Sequence, residues 1–155
     1  MSNPFSLSGK IALVTGAAQG IGAAIAQELA QRGYTVIGTA TSDEGAQRIS
    51  AALIDQGGRG VKLDVNDAAS VEALFDSIVK TDGGLHVLVN NAGITKDQLA
   101  MRMKDDEWDA VLDTNLKAVF RSSGLAASSA SPAWLAAWAT PVRPTTPPPK
   151  PGWLA

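Results

Sequence analysis

The amino-acid sequence predicts an α/β protein built on a doubly wound parallel sheet. As far as Arg121, short apolar runs alternate with segments whose apolar residues recur every three or four positions, which is typical of βαβ units. A glycine-rich turn follows the first apolar run. The length of 155 residues favours a single domain.

The first predicted strand is the apolar run Ile11–Val14, and the first helix has its apolar face at Ile21, Ile25 and Leu29. Between them, residues 16–22 follow the pattern Gly-x-x-x-Gly-x-Gly. Glycines allow a sharp turn and let a phosphate approach the backbone N–H groups at a helix N-terminus. The pattern therefore favours nucleotide binding, with an ordinary glycine turn as the alternative.

The remaining elements alternate regularly along the chain. They are predicted as a strand at 34–39, a helix at 42–56, a strand at 60–65, a helix after an N-cap at Asp67, a strand at 87–89 and a helix at 105–120. Right-handed crossovers place four such strands in the order 3-2-1-4, a Rossmann-type arrangement that binds ligands where the strand order reverses. That position brings the glycine turn beside residues 90–93.

The composition of the chain changes near Arg121. All 15 acidic residues precede it, whereas the segment 122–155 carries seven of the eight prolines, three of the four tryptophans and two charged residues. The sequence therefore predicts an ordered nucleotide-binding domain at 1–121. An irregular, disordered Ala/Ser/Pro-rich tail is expected at 122–155.

Charge and composition argue against several classes of function. The net charge of −2 and the lack of a basic stripe make nucleic acid an unsuitable partner. There is no cysteine, and His86 has no second histidine with which to share a metal. The first ten residues lack the pattern of a signal peptide, and no run of about 18 apolar residues is present to span a bilayer. We expect a cytoplasmic protein without a metal.

Several motifs carry a resemblance to a known family. The glycine turn at 15–22, Asp64 after the third strand and Asn-Asn-Ala-Gly at 90–93 resemble the short-chain dehydrogenase/reductases. Within that family, segments between residues 93 and 116 resemble the 3-oxoacyl-[acyl-carrier-protein] reductases of bacterial fatty-acid synthesis. The resemblance covers about residues 9–121.

The resemblance implies a cofactor site at the glycine turn and the strand ends. Gly16, Gly20 and Ile21 would face the pyrophosphate of the cofactor. Asp64 would accept a hydrogen bond from the adenine amino group, and Val65 would flank the adenine ring. The other cofactor-binding candidates are Gln19, Thr39, Thr41, Asn91, Ala92 and Gly93.

The end of the second strand favours NADPH over NADH. NAD enzymes place an acidic residue there for the ribose 2′-hydroxyl, whereas this chain has Thr39, Thr41 and Ser42. In the family, NADP-dependent members usually carry a basic residue in the glycine turn, where this chain has Gln19. The three hydroxyls would then have to bind the 2′-phosphate.

Asn115 matches the catalytic asparagine of the family, which organises a backbone carbonyl and a water in the proton relay. The alternative interpretation is a polar break on a helix face. The resemblance also implies a 3-oxoacyl substrate carried by acyl carrier protein. In the family, the helix at 105–120 contributes to the subunit interface of a homo-oligomer.

The catalytic Tyr-x-x-x-Lys of the family is missing from this sequence. In the family, the tyrosine donates a proton to the forming alkoxide, and the lysine lowers the pKa of that tyrosine and holds the nicotinamide ribose. The chain has one tyrosine, Tyr34, with Gly38 four residues later. The resemblance therefore implies an inactive chain. The alternative is a non-catalytic nucleotide-binding fragment or a subunit partner of an intact reductase.

The tail is interpreted as an out-of-frame translation of the missing half. Codons from Ala139 onward, read one nucleotide earlier, permit the family's active-site sequence Gly-Asn-Pro-Gly-Gln-Ala-Asn-Tyr-Ala-Ala-Ala-Lys-Ala-Gly. Its tyrosine falls at the position of Thr146, its lysine at Lys150, and a serine at the position of Ala133. The alternative is a genuine Pro-rich tail that binds an aromatic groove as a polyproline II helix.

The loss of the later strands has a predicted structural consequence. Strand 4 would become an exposed apolar edge of the sheet, and one sheet face would lack its layer of helices. A chain of this kind is expected to be marginally stable or prone to aggregation.

Overall fold

The structure is a computed structural model that describes residues 7–97, 99 and 101–138. Its strands are β1 (Ile11–Val14), β2 (Thr35–Ala40), β3 (Arg59–Lys62), β4 (Leu85–Asn90) and β5 (Ala130–Trp138). Its α-helices are α1 (Gly20–Gln31), α2 (Asp43–Leu53), α3 (Ala68–Asp82), α4 (Asp105–Leu112) and α5 (Ala118–Ser129). A 3₁₀ turn, Ile54–Gln56, follows α2, and a π-helical turn, Asp113–Lys117, joins α4 to α5.

The five strands form one parallel sheet in the order β3-β2-β1-β4-β5. The predicted fold class and the predicted order 3-2-1-4 are confirmed. Alternate residues of β1 face opposite sides of the sheet. Ile11 and Leu13 join the cluster that packs against α3 and α5, whereas Ala12 and Val14 join the cluster that packs against α1 and α2. Each sheet face is therefore covered by a pair of helices.

Local sequence explains most of the helix boundaries. Gly33, which follows α1, has a φ angle of +98°, a conformation that glycine adopts without strain. At the start of α3, the Asp67 carboxylate accepts a hydrogen bond of 3.2 Å from the backbone N–H of Ala69, as expected of an N-cap. The first turn of α4 holds three acidic residues, whose negative charges interact favourably with the positive end of the helix dipole.

The segment after Arg121 differs from the sequence-based expectation. Residues 122–138 are regular rather than irregular: α5 continues to Ser129, nine residues beyond the predicted end at Phe120, and β5 follows it. Small residues make this possible, because Ser122 and Ala126 are buried against the sheet. Residues 139–155, which include the Pro-rich stretch, lie outside the described residues.

The expected exposed edge at β4 and the expected bare sheet face are both wrong. The backbone of β5 pairs in parallel with β4 from Leu85 to Asn90, with a register irregularity between Leu85 and Val87. Ala126 of α5 also joins the core cluster on the α3 face of the sheet. The reason is that a strand edge presents unpaired N–H and C=O groups, and almost any extended segment within reach can pair with them.

The helices described here include none with the length and apolarity needed to cross a membrane.

His86, in β4, has a structural role at the start of the sheet. Its Nδ1 atom accepts a hydrogen bond of 3.1 Å from the backbone N–H of Ile11, so that nitrogen must be unprotonated. Burial lowers the pKa of His86 below its ordinary value of 6.5, and the nearby charge of Lys10 lowers it further. The neutral imidazole therefore favours the folded state.

We expect the free energy of unfolding to fall as the pH drops below 6.5. As the pH falls, the unfolded chain binds a proton at His86 before the folded chain does, so acid stabilises the unfolded state. The stability that neutral His86 contributes is therefore complete above pH 6.5 and is lost as the pH falls through the lower pKa of the folded state. Urea denaturation between about pH 5 and 8 measures this dependence. His86→Asn keeps an acceptor without the titration, and an equally steep pH dependence in that variant would contradict the assignment.

Candidate nucleotide-binding site

A cavity of about 900 Å³ opens at the carboxyl ends of β1, β2 and β4. Its size lies within the range of small-molecule sites, and its position is the switch point of the strand order. The residues that line it are Gly16, Ala18, Gln19, Gly20, Ile21, Thr39, Ala40, Thr41, Ser42, Arg48, Leu63, Asp64, Val65, Asn66, Asn91, Ala92, Gly93, Ile94, Ala110, Asp113 and Thr114. Every cofactor-binding candidate from the sequence is among them.

The glycine turn leaves the N-terminus of α1 open to this cavity. Gly16 and Gly20 have φ angles of +67° and +59°, which L side chains rarely adopt. A Cβ atom at Gly20 would meet nothing within 4 Å. The N-cap residue, Gln19, makes no side-chain cap, and the first turn holds no acidic residue. Backbone N–H groups and the positive end of the helix dipole therefore face the cavity without a competing anion.

Thr15 and Asn91 join the ends of β1 and β4. The Thr15 hydroxyl oxygen accepts hydrogen bonds of 3.0 Å from the N–H groups of Asn91 and Ala92. In return, the Asn91 side-chain amide donates to the carbonyl oxygens of Thr15 and Gly16, at 3.1 and 3.0 Å. Asn91 thus fixes the glycine turn against the loop after β4.

The end of β2 forms a second wall of the cavity. Thr39 is buried, and its hydroxyl oxygen accepts a hydrogen bond of 3.3 Å from the N–H of Gly16. The Ser42 hydroxyl accepts one of 3.1 Å from the N–H of Gly45 and so caps α2. Thr41 is exposed. Of the three hydroxyls expected to bind a phosphate, two thus accept a backbone hydrogen bond within the protein, and each keeps its O–H group as a donor.

The loop after β3 is tied to the helical wall opposite. The Asp64 carboxylate accepts a hydrogen bond of 2.9 Å from the N–H of Asn66, whose amide donates to the Thr114 hydroxyl at 2.9 Å. The Arg121 guanidinium donates to the carbonyl oxygens of Val65 and Asn66, at 3.2 and 3.4 Å. These contacts hold Asp64 and Val65 at the mouth of the cavity.

Asn115 lies in the π-helical turn rather than on the cavity wall. Its amide oxygen accepts from the N–H of Ile94 and its amide nitrogen donates to the carbonyl of Ile94, both at 2.9 Å. Both polar atoms of the Asn115 amide thus pair with the backbone of Ile94, and Asn115 holds the loop after β4 against the helix. Single π-helical turns within α-helices frequently occur at functional sites.

Sequence reasoning missed several lining residues, among them the charged Arg48 and Asp113 and the polar Asn66. Asn66 could have been noticed as an amide next to Asp64, whereas nothing in its own neighbourhood marks Arg48. The described residues contain no group of three or more His, Cys, Asp or Glu side chains that could hold a metal ion.

The fold defines a Rossmann-type α/β protein, and the chain belongs to the short-chain dehydrogenase family. The sequence profile of that family, short chain dehydrogenase (adh_short), matches residues 10–131. A solved short chain dehydrogenase from Burkholderia cenocepacia, in complex with NADP, superposes with a TM-score of 0.75 at 40% identity, covering 81% of this chain and 53% of that one.

Several curated relatives within this family share one name. The chain is 56% identical over 118 residues to the 3-oxoacyl-[acyl-carrier-protein] reductase FabG of Escherichia coli K12, covering 76% of this chain and 48% of that protein. The FabG of Pseudomonas aeruginosa is 52% identical over 120 residues, covering 76% of this chain and 49% of that protein. The chain therefore spans about half the length of the curated relatives it matches.

Proposed function

We propose that this chain binds NADPH in the 900 Å³ cavity and is the cofactor-binding part of a 3-oxoacyl-[acyl-carrier-protein] reductase, without catalysing the reduction by itself. The main support for this proposal is the N-terminus of α1, which the turn with Gly16 and Gly20 leaves open to the cavity. NADPH supplies the hydride that converts a 3-oxoacyl to a 3-hydroxyacyl group. The similarity to the FabG enzymes supports this choice of substrate.

The residues around the cavity fit a dinucleotide. The N–H groups at Gly20 and Ile21 bind the pyrophosphate, since they lie at the positive end of α1. The Asp64 carboxylate accepts from the adenine amino group, and Val65 packs on that ring. Asn91, Ala92 and Gly93 border the nicotinamide half, because they follow β4 at the far side of the glycine turn.

In this proposal, the chain lacks a group that donates the proton needed to complete the reduction. Tyr34 precedes β2 and so lies at the amino ends of the strands, whereas the cavity lies at their carboxyl ends. It cannot donate a proton to a group bound in the cavity. Loss of a general acid costs about 10²–10⁴-fold in rate, and the printed sequence also lacks the lysine that would lower the pKa of such an acid. Asn115 retains its positioning role through Ile94.

Titration of NADPH fluorescence tests cofactor binding, and the chain offers a matched pair of variants. Gly20 and Gly57 both have positive φ angles, +59° and +72°, and a Cβ atom at either would meet nothing within 4 Å. Gly20→Ala and Gly57→Ala therefore carry similar backbone strain. We expect saturable binding that Gly20→Ala weakens by tenfold or more and Gly57→Ala leaves within about twofold. Equal effects of the two variants, or no binding by the parent chain, would refute the proposed site.

Oxidation of NADPH in the presence of an acetoacetyl thioester tests the proposed inactivity. We expect no turnover above the rate without protein, under conditions where the full-length Escherichia coli reductase is active. Turnover at a rate comparable with that enzyme would overturn the inactivity and leave the binding proposal intact.

A second candidate function, a subunit partner of an intact reductase, is favoured by one surface. Trp108, Leu112, Leu116 and Phe120 follow one another at four-residue intervals through α4, the π-helical turn and α5. Their exposed fractions are 57%, 39%, 64% and 82%. We call these four residues the apolar ridge. Exposed apolar patches of this kind mark sites of protein association.

Size-exclusion chromatography of the chain mixed with a full-length reductase tests this second function. A mixed species that the Phe120→Asp variant fails to form would support it, since that change places a charge in the apolar ridge. Elution of two separate species at all concentrations would exclude it.

A further inference from the structure

Among the described residues that line the cavity, Arg48 is the single basic side chain. The acidic ones are Asp64, whose carboxylate accepts from the N–H of Asn66, and Asp113, which is 3.3 Å from the Lys117 ammonium. Both acidic groups border the loop after β3 and the helical wall. On the wall formed by the end of β2 and by α2, Arg48 is the charged residue that lines the cavity, whereas Asp43 and Glu44 in the first turn of α2 do not line it.

The position of Arg48 on α2 directs it toward the cavity. Side chains of a helix lean toward its N-terminus, and α2 begins at Asp43, beside the carboxyl end of β2. Gly45, three residues earlier on the same side of the helix, adds no side chain. A Cβ atom there would lie 2.6 Å from the Ala40 Cβ and 3.4 Å from the Ala18 Cβ, so α2 approaches the sheet end closely. Arg48 also lines an adjoining groove of about 220 Å³ between α1 and α2.

The guanidinium donors of Arg48 are available. Among the described residues, Arg48 forms no hydrogen bond or ion pair, whereas Asp43 of the same helix is engaged by the Lys62 ammonium at 2.6 Å. Glu44, one turn before Arg48, is exposed and does not pair with it. A planar guanidinium with five donors matches the oxygens of a phosphate monoester better than any other side chain.

We infer that Arg48 binds the ribose 2′-phosphate of NADPH and thereby selects it over NADH. This inference rests on the proposed nucleotide site. It resolves a difficulty of the glycine turn and of the β2 end, because Gln19, Thr39 and Ser42 line the cavity there with uncharged groups and supply no cation for a phosphate. The exposed hydroxyl of Thr41 can donate a hydrogen bond to the same phosphate.

Binding of NADPH and NADH to the Arg48→Gln variant tests this inference by fluorescence titration. We expect the NADPH dissociation constant to rise about tenfold or more, as for the loss of a charge-assisted contact, with NADH binding within about twofold of the parent. Arg32→Gln is the matched control, because Arg32 follows α1 as its C-cap residue, pairs with Glu28 and does not line the cavity. Titration with adenosine 2′,5′-bisphosphate and adenosine 5′-monophosphate, which differ in the 2′-phosphate, repeats the comparison without the nicotinamide.

A further variant, Gln19→Arg combined with Arg48→Gln, places a cation at the other side of the cavity and is expected to recover NADPH affinity. Equal losses for NADPH and NADH, or no loss for either, would overturn the role of Arg48 while the nucleotide site stands. Failure of the parent chain to bind both cofactors would overturn the nucleotide site and the inference together. Circular dichroism of each variant distinguishes loss of binding from loss of fold.

Discussion

Phe75→Ala is expected to remove a large part of the stability of this chain. Phe75 is 2% exposed and belongs to the buried cluster between the sheet and the helices α3 and α5. Truncation of a buried phenylalanine costs about 3–5 kcal/mol, against a total stability of about 5–15 kcal/mol for a typical domain. The free energy of unfolding from urea denaturation, followed by circular dichroism, measures the loss.

Phe120→Ala is the matched control, because it removes the same atoms from a side chain that is 82% exposed. Its effect on the unfolding free energy at low protein concentration is expected to be within about 0.5 kcal/mol. Similar losses in the two variants would mean that Phe75 is not packed as the structure places it. A loss in Phe120→Ala that grows with protein concentration would instead indicate that the apolar ridge is covered by a second chain.

Much of this fold follows from local sequence. The spacing of Val71, Leu74, Phe75 and Ile78 defines one face of α3, and Asp67 caps the helix because a short carboxylate there reaches a free N–H group. The strand order follows from the right-handedness of the crossovers. The cavity at the switch point could therefore be predicted, together with many of the residues that line it.

The remaining features depend on contacts between distant segments. Asn115 pairs with Ile94, 21 residues away, through a π-helical turn that no periodicity announces. Arg48 lines the cavity because of how closely α2 approaches the end of β2, which its own sequence does not encode. The strand β5 was not predicted because its sequence lacks alternation, and its pairing depends on the free edge of β4.

Gly22→Ala is expected to damage both the fold and the cofactor site. Gly22 lies in the first turn of α1, and a Cβ atom there would be 2.2 Å from the carbonyl oxygen of Gly16 and 2.4 Å from Nδ2 of Asn91. Neither neighbour can move without a substantial cost in free energy, because the first is a backbone atom and the second donates hydrogen bonds to the carbonyls of Thr15 and Gly16. The helix must move away from the strand ends, at a cost of about 1–3 kcal/mol or more.

The same movement separates the N–H groups of α1 from the loop after β4, so NADPH affinity should fall together with stability. Gly124→Ala is the control, because Gly124 lies within α5 with open space around its Cβ position and without a positive φ angle. It is expected to raise the unfolding free energy by about 0.5–1 kcal/mol and to leave NADPH binding unchanged. A Gly22→Ala variant that unfolds at the urea concentration of the parent and binds NADPH equally well would contradict the close contact of α1 with Gly16 and Asn91. Stability retained with binding lost would show instead that the close approach of α1 serves the cofactor rather than the fold.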